Sequence, residues 1–287
     1  MNGQGETVSR STFRDAAGDV AWQKQLRDRY EGEGVPPVPH LDVKRAIVRP
    51  VSRKLAEQVI YKYEWLGTMA STSLHYGIFF GIYCAGVSCV GFGASMAGAY
   101  HHEQFRVNQN DLLTLARGAC VHWAPMATNS RLVSWTCKLL ERNSTGKLIW
   151  ATADTDAGEI GTIYQACNWV YIGQSDGVSR RDMELIAPSG KVLNRRVLSS
   201  YAKQRRCTTK QMRLILLDAG WKMQPGNPKH RYVYILDKSD KALVDRVERM
   251  RQPYPKRAGV VQRVEHGHQS ETALQGDPPA PNPPLNP

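Results

Sequence analysis

Between residues 42 and 250 apolar positions recur with two periods, three to four residues apart in some stretches and consecutive or alternating in others, the imprint of interleaved helices and strands. Ser52 to Tyr63 sets Leu55, Val59, Ile60 and Tyr63 at helical spacing. The Gly67 segment then leads into apolar runs at Gly77–Tyr83 and Val87–Gly93, which predict a two-stranded hairpin. Leu112–Trp123 predicts a strand, Ala124–Ser130 a turn, and a helix beginning near Arg131 aligns Leu132, Trp135, Leu139 and Leu140 on one face. The logic repeats with a strand over Lys147–Ala153, a loop Asp154–Glu159, a helix striped by Ile160, Ile163, Tyr164 and Cys167, and a strand Trp169–Gly173. Met183–Ile186 and Lys191–Leu198 follow, then a helix over Thr208–Ala219 with Thr208 or Thr209 as its cap, and a last strand Arg231–Leu236. Strands alternating with helices imply an α/β sheet.

The flanks read differently. Residues 1–41 are polar, end in a Pro-rich run, and predict a flexible arm. From 251 to 287 the chain carries eight of its sixteen prolines and predicts an extended, disordered tail. A folded domain over 42–250 remains. Met1–Asp19 has no apolar signal core, and the most apolar stretch, Tyr76–Ala97, is broken by glycines, so neither secretion nor a membrane span is expected. The six cysteines lack C-x-x-C spacing, which fits reduced thiols in a cytoplasm better than zinc or disulfides.

Charge narrows the choice of partner. Lys and Arg number 38 against 26 Asp and Glu, a formal charge of +12, which suits nucleic acid or a phosphorylated cofactor. Residues 191–213 hold eight Lys or Arg and no acid, and 191–230 reads as a basic subregion for phosphate contacts or as a solvated helical face.

Two segments carry candidate chemistry. The turn before the Arg131 helix presents backbone N–H groups at the positive end of a helix dipole, where Asn129, Ser130 and Arg131 suit a pyrophosphate; Asn or Ser there is equally a plain N-cap. Tyr164 and Asn168 stand four apart on one predicted helix face. A phenol at that place can protonate a departing thiolate or orient a metal, or it is a core Tyr. Asp154 at a strand end can be a base, a metal ligand or a cap.

The run Gly161-Thr-Ile-Tyr164-Gln-Ala-Cys-Asn168-Trp-Val-Tyr171-x-Gly173 resembles the motif of bacteriophage Mom proteins, within the GNAT acyltransferase superfamily. The Arg117 strand, the Ser130 turn, Ala153-Asp154 and Lys229-His230-Arg231-Tyr232-Val233 extend the likeness over about 45–236. The resemblance implies a GNAT-like α/β fold whose mixed central sheet splays to admit acetyl-CoA. It implies a transferase acting on double-stranded DNA, adding a carbamoylmethyl or related acetyl-derived group to the exocyclic amine of adenine, with iron involved, so that the DNA evades restriction. Carried over by position, Ser130 lies at the cofactor turn, Asp154 and Tyr164 at the reacting centre, with Asn168 beside them, and Arg117 orients the acyl group or a phosphate.

One departure stands out: where the Mom pattern has a His-Tyr pair, this chain reads Tyr63-Glu64-Trp65. Glu64, Asp154 and Tyr164 would make an all-oxygen metal set, better suited to hard ions than to Fe(II); His75, His101, His102 and His122 are further candidates, and simple acyl transfer without metal is the alternative. For DNA the expected contacts are Arg195, Arg196, Lys203, Arg205, Arg206, Lys210, Lys229, His230 and Arg231, with Trp65, Trp123, Trp169 or Tyr171 stacking a flipped base. Two rival readings stay open, an N-acyltransferase for a small amine, protein or modified nucleotide, and a non-catalytic DNA-binding protein of the same fold. The oligomeric state, a dimer among the options, is left undecided.

Overall fold

Two neighbouring strands that part company organise this molecule. The computed structural model describes residues 21–92, 101–175, 183–190, 192–193, 195–226 and 228–256; the first half of the expected arm and the tail from 257 lie outside them. A seven-stranded sheet is built from β1 (Ile47–Pro50), β2 (Leu74–Phe80), β3 (Tyr83–Phe92), β4 (Leu112–Cys120), β5 (Leu148–Asp154), β6 (Val170–Gln174) and β10 (Lys229–Ile235), in the order β1-β2-β3-β4-β5-β10-β6. All pairs are antiparallel except β4 with β5, which run parallel.

The parallel pair is short. Leu112, Leu113 and Thr114 register with Leu148, Ile149 and Trp150, and pairing then stops. Beyond that point β4 stays with β3 as far as Cys120, and β5 stays with β10 as far as Asp154. The strands therefore diverge toward their C-terminal ends and leave a wedge in the middle of the sheet. This is the mixed, splayed sheet that was expected. A bulge sits where the wedge opens: Arg117 faces Cys89 and Leu115 faces Val90, so Ala116 is the extra residue on β4.

Helices cover both faces. α2 (Arg53–Tyr63), capped by the Ser52 hydroxyl, lays Ala56, Val59 and Ile60 on Val87, Cys89 and Ala119. α4 (Thr128–Asn143) packs Val133, Cys137 and Leu140 on the opposite face against Val90, Leu115, Ile149 and Ala151. α8 (Lys241–Arg249), on the α2 side, covers Leu148, Trp150 and Val233 with Leu243 and Val247, beside Phe105 of α3 (His101–Phe105). Alternate residues of β5 thus feed two cores, each large side chain contributing roughly 2 kcal/mol. All six cysteines are free.

The expected arm is folded in part. Trp22–Asp28 forms α1, whose Trp22 and Leu26 bury one helical face against Ala157, with Trp65 alongside. Only two apolar residues four apart support it, so the sequence of this segment reads as polar. Its partners lie far away in the chain: Arg27 donates to the carbonyls of His122 (3.0 and 3.2 Å) and Ala124 (2.6 Å). The start of the expected tail is tied down as well, with Gln252 N–H donating to Tyr171 (2.8 Å) and the Tyr254 hydroxyl to the Trp169 carbonyl (2.7 Å).

Between β6 and β10 the chain forms a separate small layer. β7 (Glu184–Ile186), β8 (Val192–Leu193) and β9 (Lys222–Gln224) make a sheet in the order β8-β7-β9, joined by α6 (Arg195–Gln204) and α7 (Thr209–Asp218). Leu185, Leu193, Leu198, Ala202 and Met212 are its core. The stretch Lys191–Leu198 therefore divides into β8 and the first turn of α6 instead of forming one element.

α5 (Thr162–Ala166) is one turn and a half, entered through Gly161 at φ +69°. A Cβ on Gly161 would lie 2.3 Å from the Tyr232 ring. Gly161→Ala combines left-handed strain with overpacking, so urea unfolding is expected to show a loss of about 3 kcal/mol; a loss below about 1 kcal/mol contradicts the tight approach.

Candidate functional site

The wedge places the turn before α4 and the acids Glu64, Asp154 and Glu159 at one end of the sheet. β4 runs out through residues 121–127 into α4, which starts three residues earlier than its sequence suggests, at Thr128. Thr128 N–H closes a turn onto the Pro125 carbonyl at 2.9 Å. The N-cap is Ala127, which has no side-chain acceptor, so the early N–H groups of a sixteen-residue helix receive no side-chain cap at the sheet's open end. Asn129 and Ser130 fall inside the first turn. The Ser130 hydroxyl donates back to the Ala127 carbonyl at 3.0 Å, and Arg131 donates to the Lys44 carbonyl at 3.1 Å. Thr128 is fully buried and its hydroxyl is unpartnered, as is Nε of Arg131. Orphaned buried polar atoms at a helix start are what a bound anion would satisfy. The sequence reading missed Thr128, which looked like one more turn residue.

The acids come from three elements. Glu64 ends α2 and is buried, with its carboxylate accepting from Leu66 N–H at 3.0 Å and paired with the Arg117 guanidinium at 3.9 Å. Arg117, buried on β4 just past the bulge, also donates to the carbonyls of Thr68 (2.7 Å) and Ala116 (2.6 Å). Burial lowers its pKa, and Glu64 opposes that shift. Arg117 thus holds the 64–68 loop to the wall of the wedge.

Glu159 is the acid that sequence reasoning passed over as the end of a loop. Its carboxylate accepts from Asp154 N–H at 3.4 Å, and its own N–H donates to the Asp154 carbonyl at 3.1 Å, closing the loop after β5. Burial pushes the Glu159 carboxyl up to about 7. The Asp154 amide and the Trp65 indole oppose the rise, while the negative charges of Asp154 and Glu64 add to it. An acid directly before the Ile160-Gly161 turn was the only sequence signal for it.

Tyr164 packs between Trp169 and Tyr232, with ring centroids at 5.0 and 5.1 Å. Burial raises its phenol well above the usual range, and the Glu159 charge adds to the rise. The end of its helix is tied to the first turn of α4 by Cys167 Sγ, which donates to the Ser130 carbonyl at 3.2 Å. Ser130, Tyr164, Asp154, Glu159, Glu64 and Arg117 are therefore linked around the wedge through short contacts and shared electrostatics.

Several expected residues sit elsewhere. Asn168 does not share a helix face with Tyr164: α5 ends at Ala166, and Asn168 is exposed at φ +57°, the left-handed residue that ends the turn. His230 is buried, its Nδ1 at 2.9 Å from the Tyr171 hydroxyl. Arg231 spends its guanidinium on the carbonyls of Ile172 (3.2 Å) and Gly173 (3.4 Å), and Lys229 pairs with Asp154 at 3.3 Å. These three are engaged at the start of β10, between β5 and β6. Lys203, Arg205, Arg206 and Lys210 are exposed in the small layer; the side chains of Arg195 and Arg196 lie outside the described residues. Trp169 and Tyr171 are core residues, and Trp65 meets Trp22 edge-on at 5.1 Å.

The donor set does not fit a resident iron. Among the described residues no group of three or more His, Cys, Asp or Glu is arranged to hold a metal, and Glu64 and Asp154 each face a cation of the protein. His75 bonds Thr72 at 3.0 Å and His122 meets Tyr63 at 3.4 Å, far apart in the fold's contacts. Among the described residues no helix is long and apolar enough to cross a membrane.

Sheet and loops together define a mixed α/β protein whose two central strands part, with Glu64, Asp154, Glu159 and Tyr164 near the parted ends. Its sequence matches the model of the Mom protein family over residues 45–256, and the chain belongs to that family. No curated protein matches it. Solved structures that resemble it include an N-acetyltransferase from Staphylococcus aureus Mu50 (6% identity, 67% of this chain and 98% of that one, TM-score 0.37). Others are the ribosomal-protein-S5-alanine acetyltransferase of Vibrio fischeri (7%, 67% and 94%, 0.37) and YncA of Salmonella typhimurium with acetyl-CoA (10%, 67% and 95%, 0.37).

The Arg117–Glu64 pair makes a stability prediction. Both side chains are less than a tenth exposed, so removing one charge strands the other. Arg117→Met is expected to cost about 3 kcal/mol in urea unfolding, and adding Glu64→Leu to restore part of that loss. A double variant as unstable as the sum of the singles would show that the charges do not interact.

Proposed function

We propose that this protein is an acyl-CoA-dependent transferase that acylates the exocyclic amine of adenine in double-stranded DNA, the amine nitrogen bonding to the thioester carbonyl carbon as the C–S bond breaks. Membership of the Mom protein family supports the reaction class. The single observation that supports the reading is the wedge: β4 and β5 part beside the α4 turn, to which Cys167 ties the Tyr164 helix, and Glu159 follows the end of β5.

In this reading the uncapped N–H groups of α4, with the orphaned Thr128 hydroxyl and Arg131 Nε, hold the cofactor pyrophosphate. The pantetheine arm enters between β4 and β5, where no ladder bond blocks it. Glu159, ionised near neutral pH, takes the proton that the amine gives up. Tyr164, whose phenol stays protonated, supplies one to the departing sulfur. Arg117 and Glu64 orient the wall of the cleft and need not touch the reacting atoms. No step runs through a metal.

Two measurements test this. Nucleosides from DNA of cells expressing the protein are expected to contain a heavier adenosine species, absent with Tyr164→Phe; unmodified DNA alongside brisk acetyl-CoA turnover would move the substrate to another amine. With purified protein, CoA release is expected to rise with pH through about 7, since the base form of Glu159 is the competent one. Glu159→Gln should lower the rate by about 10²-fold or more and erase that limb. A fully active Glu159→Gln enzyme removes Glu159 from the mechanism.

A further inference from the structure

The small layer between β6 and β10 contains a helix–turn–helix. α6 ends in paired bonds that close a helix: Cys207 N–H donates to the Ala202 carbonyl at 2.9 Å and Arg206 N–H to Lys203 at 3.1 Å, with Arg206 left-handed at φ +52°. Thr208 then caps α7, its hydroxyl accepting from Gln211 N–H at 3.2 Å while Gln211 accepts from Thr208 N–H at 2.8 Å. The connection is the four residues 205–208, the length that joins the helices of this motif, with an arginine where a glycine is common.

α7 is two-faced in an unusual way. Met212 is buried, and Leu216 and Leu217 pack on the layer's core. The outward side carries Lys210, Leu214 one turn on, and Ile215 beside it, the last two 57% and 48% exposed. Gln211 beside them is committed to the cap. The neighbouring Lys203, Arg205 and Arg206 are exposed, and residues 191–217 contain no acid. Water-facing Leu and Ile beside four exposed cations, with Asp218 as the one acid at the far end of the helix, suit a partner that is anionic outside and apolar within, as a duplex groove with thymine methyls is.

The base of this layer is fixed at the cleft. Ser175 and Lys229 bond each other twice at 2.9 Å, closing the loop where it leaves the sheet, and Lys229 registers with Asp154 at the open end of β5. A duplex on the layer is thereby tethered at the end of the sheet where the wedge opens.

From these observations the geometry points to α7 as a duplex-docking helix, its Leu214 and Ile215 seated in the groove while Lys210, with Arg205 and Arg206 of the turn, holds backbone phosphates. This rests on DNA being the substrate, and it adds the surface that presents it.

The test is fluorescence-anisotropy titration of the full chain with a 30-base-pair duplex over a salt series. Leu214→Ala/Ile215→Ala is expected to weaken binding about tenfold with an unchanged salt slope, and Lys210→Ala to reduce the slope by about 0.9. Far-ultraviolet circular dichroism should be unaltered, because all three side chains are exposed. Wild-type protein that binds the duplex as tightly as every α7 variant overturns the docking surface and leaves the substrate reading standing. Wild-type protein with no duplex affinity overturns both. Variants that convert a dimer to a monomer in sedimentation, with DNA affinity intact, also overturn it and make this face a contact between copies.

Discussion

Three residues of parallel register between β4 and β5, followed by a parting of the strands, are the constraint on which the rest depends. Each strand remains fully bonded to its outer neighbour, so the sheet loses no ladder beyond the wedge itself. The bulge at Ala116 lies at the point of divergence and re-aims Arg117. α4 and α8 hold the paired ends together from opposite faces, and the parted ends are joined by α1 and by the Cys167–Ser130 bond in place of a ladder.

Burial of charge follows from that geometry. The loops after α2 and β5 both cross the open end, which brings Glu64 and Glu159 into a region poor in water and lined by Trp65, Tyr164 and Arg117. Two carboxylates in such a place cannot both ionise cheaply. Glu64 has Arg117 for company, and Glu159 answers by holding its proton to near neutrality. Helix α1 completes the enclosure by packing Trp22 on Trp65 and bonding the 122–124 loop through Arg27.

Elements whose partners are periodic in sequence were legible. The α2 and α4 stripes and the β2–β3 hairpin stand within a few residues of where their patterns put them, since apolar period reports the face a helix or strand must bury. Motif order also put Tyr164 on a helix and Asp154 at a strand end, which is where they lie. What could not be read depends on neighbours remote in the chain. α1 looks polar until Ala157 and Trp65 cover its two apolar residues. His230 and Arg231 look like nucleic-acid contacts until the register of β10 with β6 sets them beside Tyr171, Ile172 and Gly173. Asn168 looks like part of a helix that the left-handed turn ends first, and Glu159 looks like an ordinary loop acid until the fold dehydrates it.

The central claim is that the wedge is the cofactor cleft. Hydrogen–deuterium exchange of the whole protein with and without CoA addresses it directly, because amides there have no ladder partner across the opening. Binding is predicted to protect residues 115–118 of β4, 127–131 at the start of α4 and 152–154 of β5 together. Protection confined to other parts of the sheet, or none at saturating CoA, would contradict the account.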